Sequence, residues 1–383
     1  MKSSKTIVSL AVAALFVANS ALAEVVPVSS STDNAALIMQ VAGSDSTAEI
    51  NQTGADNGAS ILQDNTVSAV ASVTTEGAMS TVIVQQQGSN GAVSVLQSES
   101  SGNEVIVTQY EDYSDNNTAA VTQDQVSNSA VSVIQDDFDN MAIVNQTVGS
   151  NMTASVNQSD QSELAVVDQT SGADLHVTVD QDGANDITEI LQTGSNNSVE
   201  VSQILDGVNN IVIVDQDGSN SDVSVSQSAS LDSFVMVTQY EAGSDGNSAS
   251  VTQDLVSSST VTVTQDDLYN TATVNQSVGS WLEAIVSQSD ESNIASVDQM
   301  GGSDNYADVF QDGGSNVATI AQTDGVMTTS MISQEGDALF AVATVTQTGG
   351  ADNLATVMQQ GTGAVATITQ VGGTFNTASI SQY

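Results

Sequence analysis

His176 is the only histidine in the chain, cysteine is absent, and the only basic side chains are Lys2 and Lys5. A Ser-His-Asp site would have to use His176, which lies an odd number of residues from the regularly spaced Gln181 and so reads as an outward-facing surface residue. Zinc sites need several His or Cys ligands, which this composition denies. Carboxylates and main-chain carbonyls are suitable ligands for calcium, which could bind between turns. The acidic pairs Asp136-Asp137 and Asp266-Asp267 read as solvated charge in turns, and GGSDN (301–305) and GGADN (349–353) lack the regular G-G-x-G-x-D of calcium-binding nonapeptides. No catalytic, cofactor or metal residues are therefore assigned. Outward threonine pairs, Thr262 with Thr264 and Thr367 with Thr369, are too irregular for an ice-binding array.

What does recur is the amide. Glutamine stands at intervals of 11 to 14 residues, most of them 11 or 12, from Gln40 to Gln382, with Thr75 filling the one double gap, between Gln63 and Gln86. Taking these thirty positions as anchors, the residue two before is Val or Ile in all thirty, and the residue four before is Ala or Val in 28, the exceptions being Thr188 and Ser330. Six before the anchor stands Asn in fourteen units and Ser in six. Each unit thus reads N-x-A-x-V-x-Q, a period of two with β-branched residues, and that is a strand with one face apolar plus amide. Glycine often follows the glutamine by two residues, as at Gly54, Gly194 and Gly218, where a turn needs its backbone freedom.

Strand, tight turn, strand, with no helix pattern, predicts an all-β solenoid in which each coil stacks on the last. Anchor spacings that alternate 12 and 11 predict coils of about 23 residues with two strands each, about 15 coils in all. Stacked strands about 4.7–4.8 Å apart place identical side chains one above another, so Asn and Gln are expected to hydrogen-bond amide to amide in continuous ladders. The ladder residues singled out are Gln52, Gln63, Gln97, Gln192, Gln203, Gln311, Gln322, Gln370 and Gln382, with Asn57, Asn197, Asn316 and Asn376. A duplication supports the unit. Anchors 86 to 192 reappear as 216 to 322, shifted by 130, including the 14-residue spacing in QYEDYSDNNTAAVTQ and QYEAGSDGNSASVTQ. That shift spans eleven units, an odd number, so the copy changes strand parity.

Lys2 and Lys5 precede an apolar run from Ile7 to Val17 that closes on Ala21-Leu22-Ala23, the pattern of a secretory signal peptide, residues 1–23. A short segment, 24–33, then leads into the repeat array, 34–383. Cleavage after Ala23 leaves all 46 acidic residues and no Lys or Arg. Nucleic acid and anionic lipid, which are bound through basic patches, are excluded as partners. No second apolar stretch is long enough to span a membrane, and an exported chain without cysteine must hold itself together without disulfides.

Gln, four residues, Asn, five residues, Gln, as in Gln52-Asn57-Gln63 and Gln311-Asn316-Gln322, resembles the curlin repeat of curli fibre subunits, and NTASISQY is similar to their Gln-Tyr ending. The resemblance covers about residues 34 to 383. It implies a curlin-type β-solenoid that is a secreted, bacterial cell-surface fibre subunit, a functional amyloid serving adhesion and biofilm, with itself as main partner beside a nucleator subunit and an outer-membrane export pore. The array is longer than in typical curli subunits, and only Glu24 to Asp33 stand where the family carries a Gly-rich export segment. No anchor spacing exceeds 14, leaving no material for the walls of an enzyme cleft. The alternative is a monomeric acidic solenoid adhesin or calcium-binding surface protein, which requires capping elements that the repeat pattern does not show.

Overall fold

The structure is a computed structural model and describes residues 11–17, 22–27, 33–110, 116–240, 245–336 and 338–383. Much of the segment read as a signal peptide, and residues 111–115 and 241–244 within the two 14-residue anchor spacings, lie outside the described residues. Within them every regular element is a strand, thirty-two in all, and no helix is long and apolar enough to cross a membrane. The chain divides into two units, Met1–Gln181 and Asp182–Tyr383.

In both units each strand pairs in parallel with the strand next but one, which is what a coil of two strands requires. In the first unit Thr118–Ser127 pairs with Met141–Ser150, aligning Ala119 with Ala142, Val121 with Val144 and Gln123 with Gln146. In the second, Ser248–Ser257 pairs with Thr271–Ser280, aligning Ala249 with Ala272, Val251 with Val274 and Gln253 with Gln276. Both registers are offset by 23 residues, so the repeat length read from the anchors is the length of one turn. This is a parallel β-solenoid of about 15 turns. Gln86 and Gln216 fall on the seventh and eighteenth strands, so parity does change between the duplicated copies.

The inward faces carry the Ala/Val and Val/Ile columns, and Val84, Val121, Val144, Val251, Val274 and Ile320 are among the fully buried residues. Burying one such side chain contributes roughly 1.5–3 kcal/mol, offset by the entropy of ordering the chain. Glycine is required where stacked turns nearly touch. A Cβ on Gly194, whose φ is +95°, would lie 1.7 Å from the carbonyl oxygen of Gly218. Many other turn positions are left-handed but hold Asn or Asp, as at Asn196, Asn220, Asp304 and Asp352, residues that tolerate this region better than most. Part of the acidic content is thus turn chemistry rather than only solvated charge.

On the N-terminal side, Ala11–Val17 pairs with Ala35–Val41 and Leu22–Pro27 with Thr47–Ala55. Phe16 and Pro27 occupy the register positions of Gln40 and Gln52.

Candidate functional site: the buried amide ladders

Because the anchors share one register, their side chains meet turn after turn in the buried space between the sheets. In the first unit the Nε2 of Gln40 donates to the Oε1 of Gln63 at 2.6 Å, Gln63 to Gln86 at 2.9 Å and Gln86 to Gln109 at 3.0 Å, and the series continues through Gln135 and Gln158 to Gln181. On the other sheet Gln97, Gln123, Gln146 and Gln169 form a second series at 2.7–2.8 Å. In the second unit one ladder runs from Gln192 through Gln311 to Gln382, and the other from Gln203 through Gln322 to Gln370. Every rung points the same way, with the amide N–H directed to the later turn.

The sequence does not reveal what the second amide hydrogen does. The Nε2 of Gln63 also donates to the carbonyl of Thr47 at 3.1 Å, that of Gln311 to Ile294 at 3.1 Å and that of Gln322 to Tyr306 at 3.0 Å. These acceptors lie on the facing sheet, so each of these three glutamines braces the two sheets as well as linking turns. A buried amide left unpaired would cost roughly 1–3 kcal/mol, and in Gln63, Gln311 and Gln322 both hydrogens are used.

Asparagine behaves differently from the ladder expected of it. Among the described residues its inner column makes no amide-to-amide rungs; instead it ties side chain to main chain. The Oδ1 of Asn57 accepts the N–H of Ser80 at 3.1 Å, while its Nδ2 donates to the carbonyls of Thr53 and Gly77. Asn197 does the same with Ser221, Thr193 and Gly218. Asn316 receives the N–H of Ala341 and donates to Ala338, and Asn376 donates to Gly372. The physical reason is position and length: Asn opens the strand at the corner, one methylene shorter than Gln, where turn carbonyls are nearer than the next amide.

Gln52 needs the second correction. It is buried, but neither its Oε1 nor its Nε2 has a hydrogen-bond partner, and the Thr75 hydroxyl and the Gln97 Oε1 are also unpartnered. Thr75 aligns with Gln52 on one side and Gln97 on the other, and its short side chain cannot reach either. Gln97 therefore starts its ladder instead of continuing one from Gln52. Changing Thr75 to Gln is expected to join Gln52 to Gln97 and raise stability by about 2 kcal/mol, because two rungs form in a column that accommodates Gln elsewhere. Chemical denaturation of the two chains measures this; an unchanged or lowered midpoint would contradict it.

The two polar intruders in the Ala/Val column also find partners. The Thr188 hydroxyl donates to the Oε1 of Gln203 at 2.9 Å, and that of Ser330 to the Oε1 of Gln347 at 2.8 Å. His176 is exposed, with Nδ1 at 2.5 Å from the Thr153 hydroxyl. On the outside, stacked Asn and Asp form further rungs, Asn116 to Asp139 and Asn151 to Asp174 at 3.0 Å, and Asn145 to Asp168 at 2.6 Å. Among the described residues no group of three or more carboxylate or imidazole side chains is gathered to hold a metal ion.

A few acidic groups titrate above their ordinary range, with burial the largest cause in each. Burial, and then the neighbouring Asp312 and Asp267, raise the Asp290 carboxyl above the usual range. Burial followed by Asp217 does so for Asp215, and burial for Asp308. Burial, and then the Asp308 carboxylate beside it, push the Tyr306 hydroxyl up to about 12.

A parallel solenoid braced by one-directional glutamine ladders defines a structural repeat protein. The family model described as the curlin associated repeat matches residues 172–204, 302–336 and 350–383, so these segments of the chain carry curlin repeats. No curated protein matches it.

Proposed function

We propose that the protein is a secreted structural subunit that polymerises with itself into curli-like amyloid fibres at the bacterial cell surface, for adhesion and as biofilm matrix. The observation that carries this reading is the polarity of the ladders. Every rung donates toward the later turn, so a copy stacked beyond Gln370 and Gln382 would receive their amide N–H groups with its own first acceptors. Gln40, the first rung of its ladder, has a buried Oε1 with no hydrogen-bond partner, the complement of such a donor. Donor face to acceptor face is a heterologous contact, which builds open filaments rather than closed dimers. Residues 1–23 serve as the export signal, and a nucleator subunit and an outer-membrane pore are the accessory partners. The chain performs no catalysis in this reading.

The test is to dilute the chain lacking residues 1–23 from denaturant and follow Thioflavin T fluorescence with electron microscopy. Fibres that seed fresh protein without a lag phase are expected. A persistent monomer would overturn the proposal and favour the solitary adhesin.

A further inference from the structure

Six residues before the anchor, the corner position of the second unit is filled at Asn197, Asn270 and Asn293 by an amide whose Nδ2 donates to the carbonyl four residues earlier, at 2.6–2.7 Å. Asp186 occupies the same position before Gln192 and is fully buried. Its Oδ1 performs the acceptor half of the asparagine's task, taking the Asn210 main-chain N–H at 2.8 Å. Its Oδ2 stands in the donor's place and is buried with no hydrogen-bond partner. A Cβ on Gly183 would lie 2.5 Å from that Oδ2 and 2.6 Å from the Gly207 carbonyl oxygen, so the two oxygens border one small space. An ionised carboxylate offers only lone pairs there, whereas a protonated one supplies the missing donor.

We propose that Asp186 is a proton-operated latch: its carboxyl closes this turn as an asparagine does while protonated, and loosens it when ionised. No basic side chain of the repeat array can pair with the ionised form, because the only ones in the chain are Lys2 and Lys5. The nearby charge is also acidic: Asp182 is exposed in the same turn, and position 206, about one repeat later in the sequence, is an aspartate. Glu163 fills the equivalent position before Gln169. Burial pushes the Asp186 carboxyl up from 3.8 to about 6, with the Asn210 hydrogen bonds opposing the rise only in part. The folded value lies above the unfolded one, so the stabilisation is complete below the unfolded value and is lost as pH rises through the folded one, over about pH 4 to 6.

Hydrogen exchange of the full chain, resolved to peptides covering 182–210 and corrected for intrinsic rates, reads the latch directly. From pH 4.5 to 7 the native chain is expected to lose protection there by roughly tenfold to a hundredfold relative to Asp186→Asn at each pH. Asp182→Asn removes a charge from the same turn without entering the slot, and is expected to track the native chain. Parallel profiles for the native chain and Asp186→Asn, or a profile for Asp182→Asn that matches Asp186→Asn, would overturn the proposal.

Discussion

With Gln370 and Gln382 both changed to leucine, seeded elongation is expected to slow by roughly one to two orders of magnitude while the chain keeps its fold. Gln370 and Gln382 accept the amides of Gln347 and Gln359 at 2.7 and 2.8 Å and stand as the last rungs of their ladders. Their own Nε2 groups reach only the carbonyls of Leu354 and Val365, which leaves one amide hydrogen on each for an incoming copy. Leucine keeps the apolar volume but offers the newcomer neither donor nor acceptor. An unpaired amide costs roughly 1–3 kcal/mol once buried, and 1.4 kcal/mol is a factor of ten. Two rungs therefore suffice for the expected effect. Thr367→Leu with Thr369→Leu, on the outward face of the strand that carries Gln370, is the control and is expected to elongate normally. Equal rates for the two double variants would remove the amides from the account of growth.

The backbone plan was legible in the sequence because it depends on a period. Val or Ile two before every anchor fixes a strand and its inward face, and spacings of 11 and 12 fix a two-stranded turn of 23 residues. The site was legible in part. Gln63, Gln192, Gln203, Gln311 and Gln322 form the rungs expected of them, since residues of one type in one register must meet. What escaped depends on side-chain reach rather than on spacing. Asn and Gln carry the same amide, yet the shorter one bonds the main chain of the corner. Thr75 completes the spacing but not the hydrogen bonds, so the ladder expected at Gln52 breaks. The Gln-to-carbonyl braces require knowing which strand of the facing sheet lies opposite. Thr188 and Ser330 could have been suspected, since polar residues in an otherwise apolar column need buried partners.

Fibre assembly is expected to be slow at neutral pH and low salt and to accelerate on adding salt or lowering pH. The chain carries 46 acidic residues in 383, which is about three per 23-residue turn. One turn rises about 4.8 Å, so the solenoid bears about one negative charge per 1.6 Å, a density similar to that of double-stranded DNA, about one per 1.7 Å. Donor and acceptor faces of two copies must approach against that field, and beyond residue 5 no Lys or Arg opposes it. Near 0.15 M ionic strength the repulsion reaches only about 8 Å, which permits contact between end faces. Acid acts on its source. Asp215, Asp290 and Asp308 have raised pKa values and take up protons before ordinary carboxylates do. For each of them the folded value lies above the unfolded one, so stability also rises as pH falls through it and is lost as pH climbs back. Acid thus favours fold and assembly together. Lag times across salt and pH series measure the barrier, and independence from both would reject it. Calcium and sodium compared at matched ionic strength separate binding from screening: a shorter lag in calcium indicates carboxylates that hold the ion, and identical curves leave screening as the whole effect.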